Sequence, residues 1–572
     1  MVRMLIVVAV CSACATTPKW AGANTLAEEK FPSRAEIAQL AQKPPKLDTA
    51  RLGADVVESW ELAGPFPDSL NAAVVPAVTD WEKALVAVAP KFAEGLTEDH
   101  RCLARELARY HVKRKQFPGH SLQRFMEFRC ATTAKHLNVN SLSGEVPKNV
   151  NDAQWLAQWK GELGKYASRA SSDLVGIAAL RDGDHAVMVL VTSEAGAILE
   201  KAVPLTTKDM KTVELRGRLG RGGAHRISAR INQGSLDSAD CRTLDAVSAP
   251  QFAFECPVRS GDVRAVVEVA AFDEGRILGR KVIDLVVWPT GQPSNTWARA
   301  KGSADVPAGL LASRFVGEVN AMRTRANLPV LTEVPAQSAT ATALAPHYFA
   351  ASFGQGDPLE ADEVALAMLA GWDVSVETVS SEFGNTWLSG TRDLSLFMEF
   401  LLDSPFQRHA LTDPRATHIA VGAYEEPGSL AAIFATYVPL KSFDRKDSEI
   451  AIITRLNTMR QQRGLPLAQW TLWPEDEGAV IARNLAARRW GPSDASRHAL
   501  NATAEVAKGQ VIGYVQLVDD LDHFQFPPEV LLRPNINVVL AVGTYRGETW
   551  AQTRYVVCFV LAKQGDIETA SR

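Results

Sequence analysis

The stretch Phe-Val-Gly-Glu-Val-Asn-Ala-Met-Arg at 315–323, with Leu-Pro-Val at 328–330, has a counterpart further along the chain. The counterpart reads Ile-Ile-Thr-Arg-Leu-Asn-Thr-Met-Arg at 452–460, with Leu-Pro-Leu at 465–467. Asparagine, methionine, arginine, leucine and proline occupy identical positions in both. A pattern that repeats at fixed internal spacing indicates a repeated structural unit.

The two stretches also lead to similar endings. The first block closes on Ile-Ala-Val-Gly-Ala-Tyr at 419–424, and the second on Leu-Ala-Val-Gly-Thr-Tyr at 540–545. Each ending precedes a second apolar run, so each block reads as helices followed by strands. Matches in the same order at both ends favour a duplication, with module 1 at 310–440 and module 2 at 448–565.

The region before the modules divides into a helical part and a strand-rich part. Apolar residues at helical spacing, with Trp155 and Trp159 as core residues, predict a mainly helical domain over 50–200. It ends in two strands around a turn at 181–184. Because Val-Gly-Ile-Ala at 175–178 precedes that turn, this domain could be a remote third copy of the module.

The sequence pattern of residues 201–290 is typical of a small antiparallel β-sandwich. Short runs of alternating apolar and polar residues are separated by turn signals at sandwich-like intervals. The glycine-rich stretch 219–223 lacks the Lys-Ser/Thr pair of a phosphate-binding loop, so a hairpin turn is the better interpretation. Residues 291–309 are rich in Pro, Gly, Ser and Asn, and read as a linker.

The chain has seven cysteines. If the protein is exported, oxidising conditions make disulfides plausible, and we predict the pairs Cys102–Cys130 and Cys241–Cys256. Cys558 lies in a continuous apolar run and is expected to be a buried free thiol in a core strand. No Cys or His cluster has zinc spacing, so no metal and no cofactor is predicted.

The N-terminus carries a secretory signal. A positive charge at Arg3, a short apolar run and small residues before Cys14 form the pattern, and the run is too short to span a bilayer. Ser12-Ala13-Cys14 resembles the site at which bacterial lipoproteins are cleaved and acylated. The expected signal peptide is 1–13, and 14–49 is expected to be a flexible tether. A site ending at Cys11 and an ordinary cleaved signal are the alternatives.

Size and charge limit the functional classes. A chain of 572 residues is long enough for several domains. The formal net charge of −4 gives no bulk attraction to nucleic acid, so no nucleic-acid partner is predicted. The expected location is the bacterial cell envelope, lipid-anchored, at the outer membrane.

The repeated motifs resemble the CAP superfamily of cysteine-rich secretory proteins, antigen 5 and class 1 pathogenesis-related proteins. Bacterial members open with Asn-x-x-Arg and Gly-Leu-Pro-x-Leu, and later show Ser-Pro-x-His-Arg before a Gly-Val-Gly strand. Asn320 to Val330, Asn457 to Leu467 and Ser404 to Arg408 are similar to these motifs. The resemblance covers well under half of the chain. It implies α-β-α sandwiches, and hence an α+β multidomain protein.

The resemblance also implies a cleft that holds two histidines and two glutamates in other members. Here Gln407 stands where the Ser-Pro-x-His motif has histidine, and Gln355 stands at the other histidine position. Glu382 is the best match to a cleft glutamate, with Glu377 next. An amide is neither a transition-metal ligand of imidazole type nor a base near neutral pH, so the predicted cleft binds by hydrogen bonds.

Two further histidines lie near this motif. His409 follows Gln407 by two residues and is expected to point elsewhere on the helix. His418 precedes a strand of buried type and is expected to be structural.

The pattern favours a non-catalytic binding protein of the envelope. The ligand could be a lipid, a peptide or a cell-wall fragment, and the membrane and other envelope proteins are the remaining expected partners. An envelope hydrolase is the rival hypothesis, although no GxSxG or HExxH motif is present. A purely structural or assembly role is the third hypothesis.

Overall fold

A computed structural model of the chain has a mixed α and β architecture with several small sheets. The structure describes residues 32–45, 47, 57, 59–70, 73–132, 137–169, 173–206, 211–234, 237–244, 247–259, 263–274, 276–289, 293–299, 305–307, 309–426, 428–473, 476–507, 511–546 and 552–563. The predicted signal peptide, Cys11 and Cys14 lie outside these ranges. Within them, no helix is both long and apolar enough to cross a membrane.

The N-terminal domain, which we predict to be mainly helical, has helices on both faces of a three-stranded sheet. The sheet order is β3-β5-β4, with helices α3 and α4 on one face and α2 and α5 on the other. A disulfide joins Cys102 of α3 to Cys130 after α4, as predicted. Its elements are α2 Asp80–Val88, a 3-10 turn Pro90–Glu94, α3 Glu98–Arg114, α4 His120–Arg129, β3 Asn138–Glu145, α5 Asp152–Arg169, β4 Leu174–Asp182 and β5 His185–Ser193.

A helix and two short strands precede this domain: α1 Arg34–Ala41, β1 Ser59–Glu61 and β2 Ser69–Leu70. Helix α1 lies in the segment 14–49 that we predict to be a flexible tether. Ser33 and Glu36 form a capping box at its start, and Ile37 is buried against module 1. Part of that segment is therefore a docked helix, because one apolar side chain and a good cap fix it in place.

The β-sandwich consists of two four-stranded sheets, ordered β10-β9-β13-β14 and β11-β12-β8-β6. Their inner faces share one apolar core, and Cys241–Cys256 forms the second predicted disulfide. The strands are β6 Ala197–Leu199, β8 Thr212–Leu219, β9 Ala224–Gln233, β10 Asp237–Asp240, β11 Arg242–Thr243, β12 Gln251–Pro257, β13 Ala265–Asp273 and β14 Arg280–Val287. A further short strand, β7 Val203–Pro204, pairs with β2 outside these two sheets.

Two connections differ from the sequence interpretation. The glycine-rich stretch 219–223 is not a hairpin turn, because β8 and β9 belong to different sheets. A Cβ on Gly220 would lie 1.8 Å from the Ala195 carbonyl oxygen, so this crossing requires glycine. Within the predicted linker, β15 (Thr296–Ala298) pairs with β1 and places Trp297 opposite Trp60.

Modules 1 and 2 have the same sheet order. Module 1 comprises α6 Leu311–Arg325, β16 Thr332–Glu333, α7 Pro335–Ser352, α8 Pro358–Ala370, β17 Thr378–Ser389, α9 Leu394–Leu402, α10 Pro405–Thr412, β18 His418–Glu426 and β19 Ser429–Pro439. Module 2 comprises α11 Arg445–Gln462, β20 Gln469–Trp470, α12 Glu477–Ala486, α13 Pro492–Val506, β21 Val511–Val518, 3-10 turns Leu521–His523 and Pro528–Leu531, β22 Ile536–Tyr545 and β23 Arg554–Lys563. The orders are β16-β18-β19-β17 and β20-β22-β23-β21.

Helices cover both faces of the module 1 sheet. One apolar core joins the sheet to α6, α9 and α10, and another joins it to α7 and α8. In module 2, the two 3-10 turns replace the helices α9 and α10.

The N-terminal domain shares this topology. Its sheet has the order β3-β5-β4, in which β4 and β5 form a hairpin and β3 is the first strand in the chain. The same order occurs as β17-β19-β18 in module 1 and as β21-β23-β22 in module 2. Leu96 forms a parallel bridge to Val175 of β4, as β16 does to β18 and β20 to β22. In topology, the chain therefore contains three related α/β units.

The repeated Asn-x-x-Arg motif fastens a loop in each module. Asn320 hydrogen-bonds the backbone of Leu331 in both directions, at 2.9 and 2.7 Å. Arg323 is fully buried and donates to the carbonyl oxygens of Pro329, Leu411, Asp413 and Ala416. Arg460 is equally buried and donates to the equivalent carbonyls of Pro466, Val530, Arg533 and Pro534. A planar guanidinium with five donors suits such a site, which explains why the spacing repeats.

Candidate functional site

Gln407 lies on helix α10 and faces strand β17. Its side-chain oxygen accepts a hydrogen bond from the backbone N–H of Asn385 at 2.9 Å. A Cβ on Gly384 would lie 2.2 Å from that oxygen, so glycine makes room for the glutamine. The amide therefore ties α10 to the sheet, and part of its hydrogen-bonding capacity is already used by the fold.

Glu382 lies on the same strand, on the face that carries α10. Its carboxylate is 4.0 Å from Nε2 of His409, and both side chains are about one-third exposed, at 38% and 31%. Burial and the nearby positive charge of Arg230 lower the pKa of His409, and Glu382 only partly opposes them. His409 is therefore a neutral imidazole near pH 7, able to donate and accept one hydrogen bond each.

An open groove with a volume of about 440 Å³ runs past His409. It lies where the sandwich meets module 1, between β10, the end of α6 and the loop from α10 to β18. Its lining combines apolar side chains with hydroxyl, imidazole and charged groups: Ser238, Ala326, Leu328, His409, Thr412, Asp413, Pro414 and Arg415. A small polar ligand with some apolar surface fits this lining.

An ion pair forms one wall of the groove. Arg415 donates to both carboxylate oxygens of Asp413, at 3.1 and 2.9 Å, and its backbone N–H donates to the same group. Burial raises the pKa of Asp413, but these hydrogen bonds outweigh burial and hold it below its usual value. Arg323 also donates two hydrogen bonds to the backbone carbonyl of Asp413. The wall is thus rigid and charged before any ligand arrives.

Gln355 does not join this site. It follows helix α7, on the opposite face of the sheet from Glu382 and Gln407, and is exposed. Its backbone N–H bonds the Ala350 carbonyl at 2.8 Å, and neighbouring Phe353 packs against Trp387. The predicted three-residue cleft therefore holds only Glu382 and Gln407, because α7 and α10 lie on different layers.

The position of His409 also differs from the prediction. We predict from its spacing that it points away from Gln407 on the helix, yet its ring lies beside Glu382. Helix α10 has only eight residues and packs between the sandwich and the sheet of module 1, so residues on two of its sides face a neighbouring element. His418 begins strand β18 and hydrogen-bonds Thr417 at 2.8 Å, consistent with a structural role.

A Ser-His-Asp arrangement occurs elsewhere but is sealed in the N-terminal domain. His100 Nε2 is 2.7 Å from Ser193 Oγ, and His100 Nδ1 is 3.1 Å from the Asp99 carboxylate. Ser193 and His100 are completely buried. A nucleophile must reach its substrate, so this cluster ties α3 to the end of β5 and has no catalytic access.

Among the described residues, no group of three or more His, Cys, Asp or Glu side chains is placed to hold a metal ion. The free cysteine found there, Cys558, is buried in β23, and burial raises its thiol pKa to about 12.

Comparisons with known proteins give little further guidance. No protein-family model and no curated protein matches the chain. Among solved structures, the chain is similar to a cysteine-rich secretory protein from Staphylococcus aureus subsp. aureus Mu50, at 12% sequence identity over 51% of this chain and 97% of that one. The TM-score is 0.17, a value too low to establish a shared fold.

Proposed function

We propose that this chain is an exported, lipid-anchored binding protein of the bacterial cell envelope, and that its ligand occupies the groove beside His409. The observation that carries the proposal is an open groove of about 440 Å³ that has His409 in its lining and the Asp413–Arg415 ion pair as one wall. Preformed concave sites with a few fixed polar groups are typical of ligand binding.

In this proposal, modules 1 and 2 are CAP-like units whose clefts have lost their histidines. The amide oxygen of Gln407 already accepts a hydrogen bond from the backbone N–H of Asn385, so we assign Gln407 a structural role and not a ligand-binding one. The binding groups are instead His409, Glu382 and the Asp413–Arg415 wall. A peptide or cell-wall fragment suits the groove better than a lipid tail, because polar groups line much of it.

Binding can be tested with a matched pair of variants. Purified peptidoglycan sacculi, vesicles of phosphatidylethanolamine and phosphatidylglycerol, and short stem-like peptides serve as probes in sedimentation or titration assays. Glu382→Gln removes the carboxylate that lies 4.0 Å from the His409 ring at the edge of the groove. We expect about tenfold weaker binding, since a hydrogen bond to a charged group contributes roughly 1.5 kcal/mol or more. Glu377→Gln changes an exposed glutamate of the same module and should bind like the parent. Binding to no probe above background contradicts the proposal.

A hydrolase using the same groove is the second candidate function. An imidazole 4.0 Å from a carboxylate brings together the two groups that a general base and its orienting acid require, although a hydrogen bond between them would need a closer approach. The same probes should be checked for released fragments. Turnover that Glu382→Ala abolishes would favour the hydrolase, and unchanged probes after long incubation would favour the binding protein.

The anchor is a separate part of the proposal, and its support comes from Ser12-Ala13-Cys14 together with two disulfides that suit an oxidising compartment. Cys14→Ser should move the protein from the detergent phase to the aqueous phase. Cys11→Ser alters the competing cysteine and should leave partitioning unchanged. An unchanged membrane-bound fraction in the Cys14→Ser variant would exclude the anchor.

A further inference from the structure

Strand β3 is a long sheet edge, and among the described residues it pairs with β5 alone. Its eight residues pair with β5 in unbroken register, from Asn138 opposite Thr192 to Glu145 opposite His185. None of the eight is buried; each is half-buried or exposed. An exposed regular edge presents a row of unpaired N–H and C=O groups to any strand that approaches it.

The other sheet edges among the described residues are short or covered. Strands β6, β10, β11, β16 and β20 have four residues or fewer. Strand β21 is buried along its whole length, and β14 is buried over its last six residues. Strand β4 is bridged to Leu96 at one end and carries Arg181 and Asp182 at the other.

Strand β17, the equivalent of β3 in module 1, already has a partner. The backbone N–H of Thr553 donates to the Thr378 carbonyl at 2.8 Å, and Arg554 and Gln552 bond Val379 and Ser381 of the same strand. The donor segment belongs to module 2, a unit with the same topology. Within one chain, one end of this edge therefore contacts a segment of another unit with the same topology.

The sequence of β3 lacks the features that prevent the sheet edges of two molecules from pairing. It reads Asn-Val-Asn-Ser-Leu-Ser-Gly-Glu, without lysine, arginine, proline or a bulge. Soluble proteins normally protect long edges with such features. The single charge, Glu145, stands at one end, so antiparallel pairing of two copies would place the two carboxylates at opposite ends of the ladder and avoid repulsion.

We propose that β3 pairs with β3 of a second copy of this chain, antiparallel and about a two-fold axis, to form one continuous six-stranded sheet. A two-fold axis makes the same surface patch complementary to itself, and this strand satisfies that condition. The interface is small, so the dimer should be reversible and concentration-dependent. This surface is on the N-terminal domain, away from the groove of module 1.

The test is the mass of the purified full chain, measured by sedimentation and light scattering over a wide concentration range. We expect the mass to rise from 62.1 kDa toward twice that value. Ser143→Lys places a charge on the exposed edge and should raise the dissociation constant at least tenfold. Ser168→Lys adds the same charge on helix α5, at an exposed position, and should change nothing. A synthetic peptide with the sequence 138–145 should compete with dimer formation.

Three results would overturn the proposal. One is the mass of a single chain at every concentration reached. The second is a dimer that Ser143→Lys leaves intact while the variant keeps the parental unfolding midpoint. The third is a dimer that Ser168→Lys weakens as strongly as Ser143→Lys. Binding of sacculi or peptides at the groove is measured separately, so failure of the dimer and failure of the proposed function are distinguishable.

Discussion

At the scale of single residues, two buried arginines explain why the repeated motif exists. Arg323 and Arg460 each donate hydrogen bonds to several carbonyl groups of one loop, and without the arginine these carbonyl groups would have no donor. A buried carbonyl without a partner costs free energy comparable to a lost hydrogen bond. The arginine thus shapes the loop, and in module 1 that loop forms the groove wall.

We predict that Arg323→Ala destabilises the protein by about 3 kcal/mol or more, because several buried carbonyls lose their donor at once. The measurement is the midpoint of denaturant-induced unfolding. Arg325→Ala is the control, since Arg325 is exposed two residues away on the same helix. Equal effects of the two substitutions would disprove the role assigned to Arg323.

His120 should make stability depend on pH. It lies half-buried at the start of α4, and its ring is stacked on Phe400 of α9, with 5.3 Å between ring centroids. Burial, helped by the charge of Arg124, lowers its pKa to about 4. An unfolded histidine titrates near 6.5, so the folded state binds this proton less tightly. Above about pH 6.5, His120 does not change the free energy of unfolding. As the pH falls from 6.5 to 4, the unfolded state is favoured progressively, and the protein loses about 3 kcal/mol of stability by pH 4.

His120→Phe should therefore flatten the loss of stability between pH 6.5 and 4, measured as unfolding midpoints across that range. His225→Phe, at an exposed position of β9, should leave the pH profile as it is. A profile that His120→Phe leaves unchanged would show that another group causes the acid sensitivity.

At the scale of secondary-structure elements, one glycine per unit sets how closely a helix approaches the sheet. A Cβ on Gly422 of β18 would lie 2.4 Å from the carbonyl carbon of Ala341 in α7. A Cβ on Gly176 of β4 would lie 2.1 Å from the equivalent atom of His100 in α3. The approach is looser in module 2, where a Cβ on Gly543 of β22 would lie 2.8 Å from the Leu485 side chain and 3.1 Å from the Ala482 backbone of α12. The Val-Gly signal in the sequence is thus a packing requirement, and it links all three units.

We predict that Gly422→Ala destabilises the protein by about 2 kcal/mol, because the methyl group must displace the backbone of α7. Gly317→Ala is the matched control: it lies in helix α6 with open space around it, and should stabilise by up to about 1 kcal/mol. Unfolding midpoints of the two variants should move in opposite directions. A neutral Gly422→Ala variant would contradict the close approach.

At the scale of the whole molecule, ion pairs and hydrogen bonds lock the sandwich to module 1. Arg264 of the sandwich side donates to both carboxylate oxygens of Asp403, at 2.8 and 2.9 Å. Arg408 of α10 donates to the carbonyl of Gly234 at 2.6 Å. Because the groove lies along this junction, the shape of the candidate site depends on both domains staying in contact.

A double-mutant cycle on Arg264→Ala and Asp403→Ala should give a coupling energy of about 1 kcal/mol, since one guanidinium nitrogen donates to both carboxylate oxygens and the pair is partly buried. The exposed pair Lys165–Glu162 is the control, and its coupling should be near zero, because water screens it. Both energies come from unfolding curves of the single and double variants. Equal coupling energies in the two pairs would contradict the stabilising role assigned to the Arg264–Asp403 pair.

The sequence by itself determined the features that depend on local pattern. The duplication, the sandwich, both disulfides and the buried Cys558 follow from spacing and alternation, because neighbouring residues set helix and strand periodicity. The family resemblance of the modules and the anchor at Cys14 stay predictions.

The tertiary structure alone decided which residues meet. It separated Gln355 from Glu382 by placing α7 and α10 on opposite faces of the sheet, and it brought His409 to Glu382 by packing α10 between two domains. It also revealed the topology shared by the N-terminal domain, where the sequence signal was faint. Sequence spacing fixes directions along one element, whereas a site between layers depends on how several elements pack.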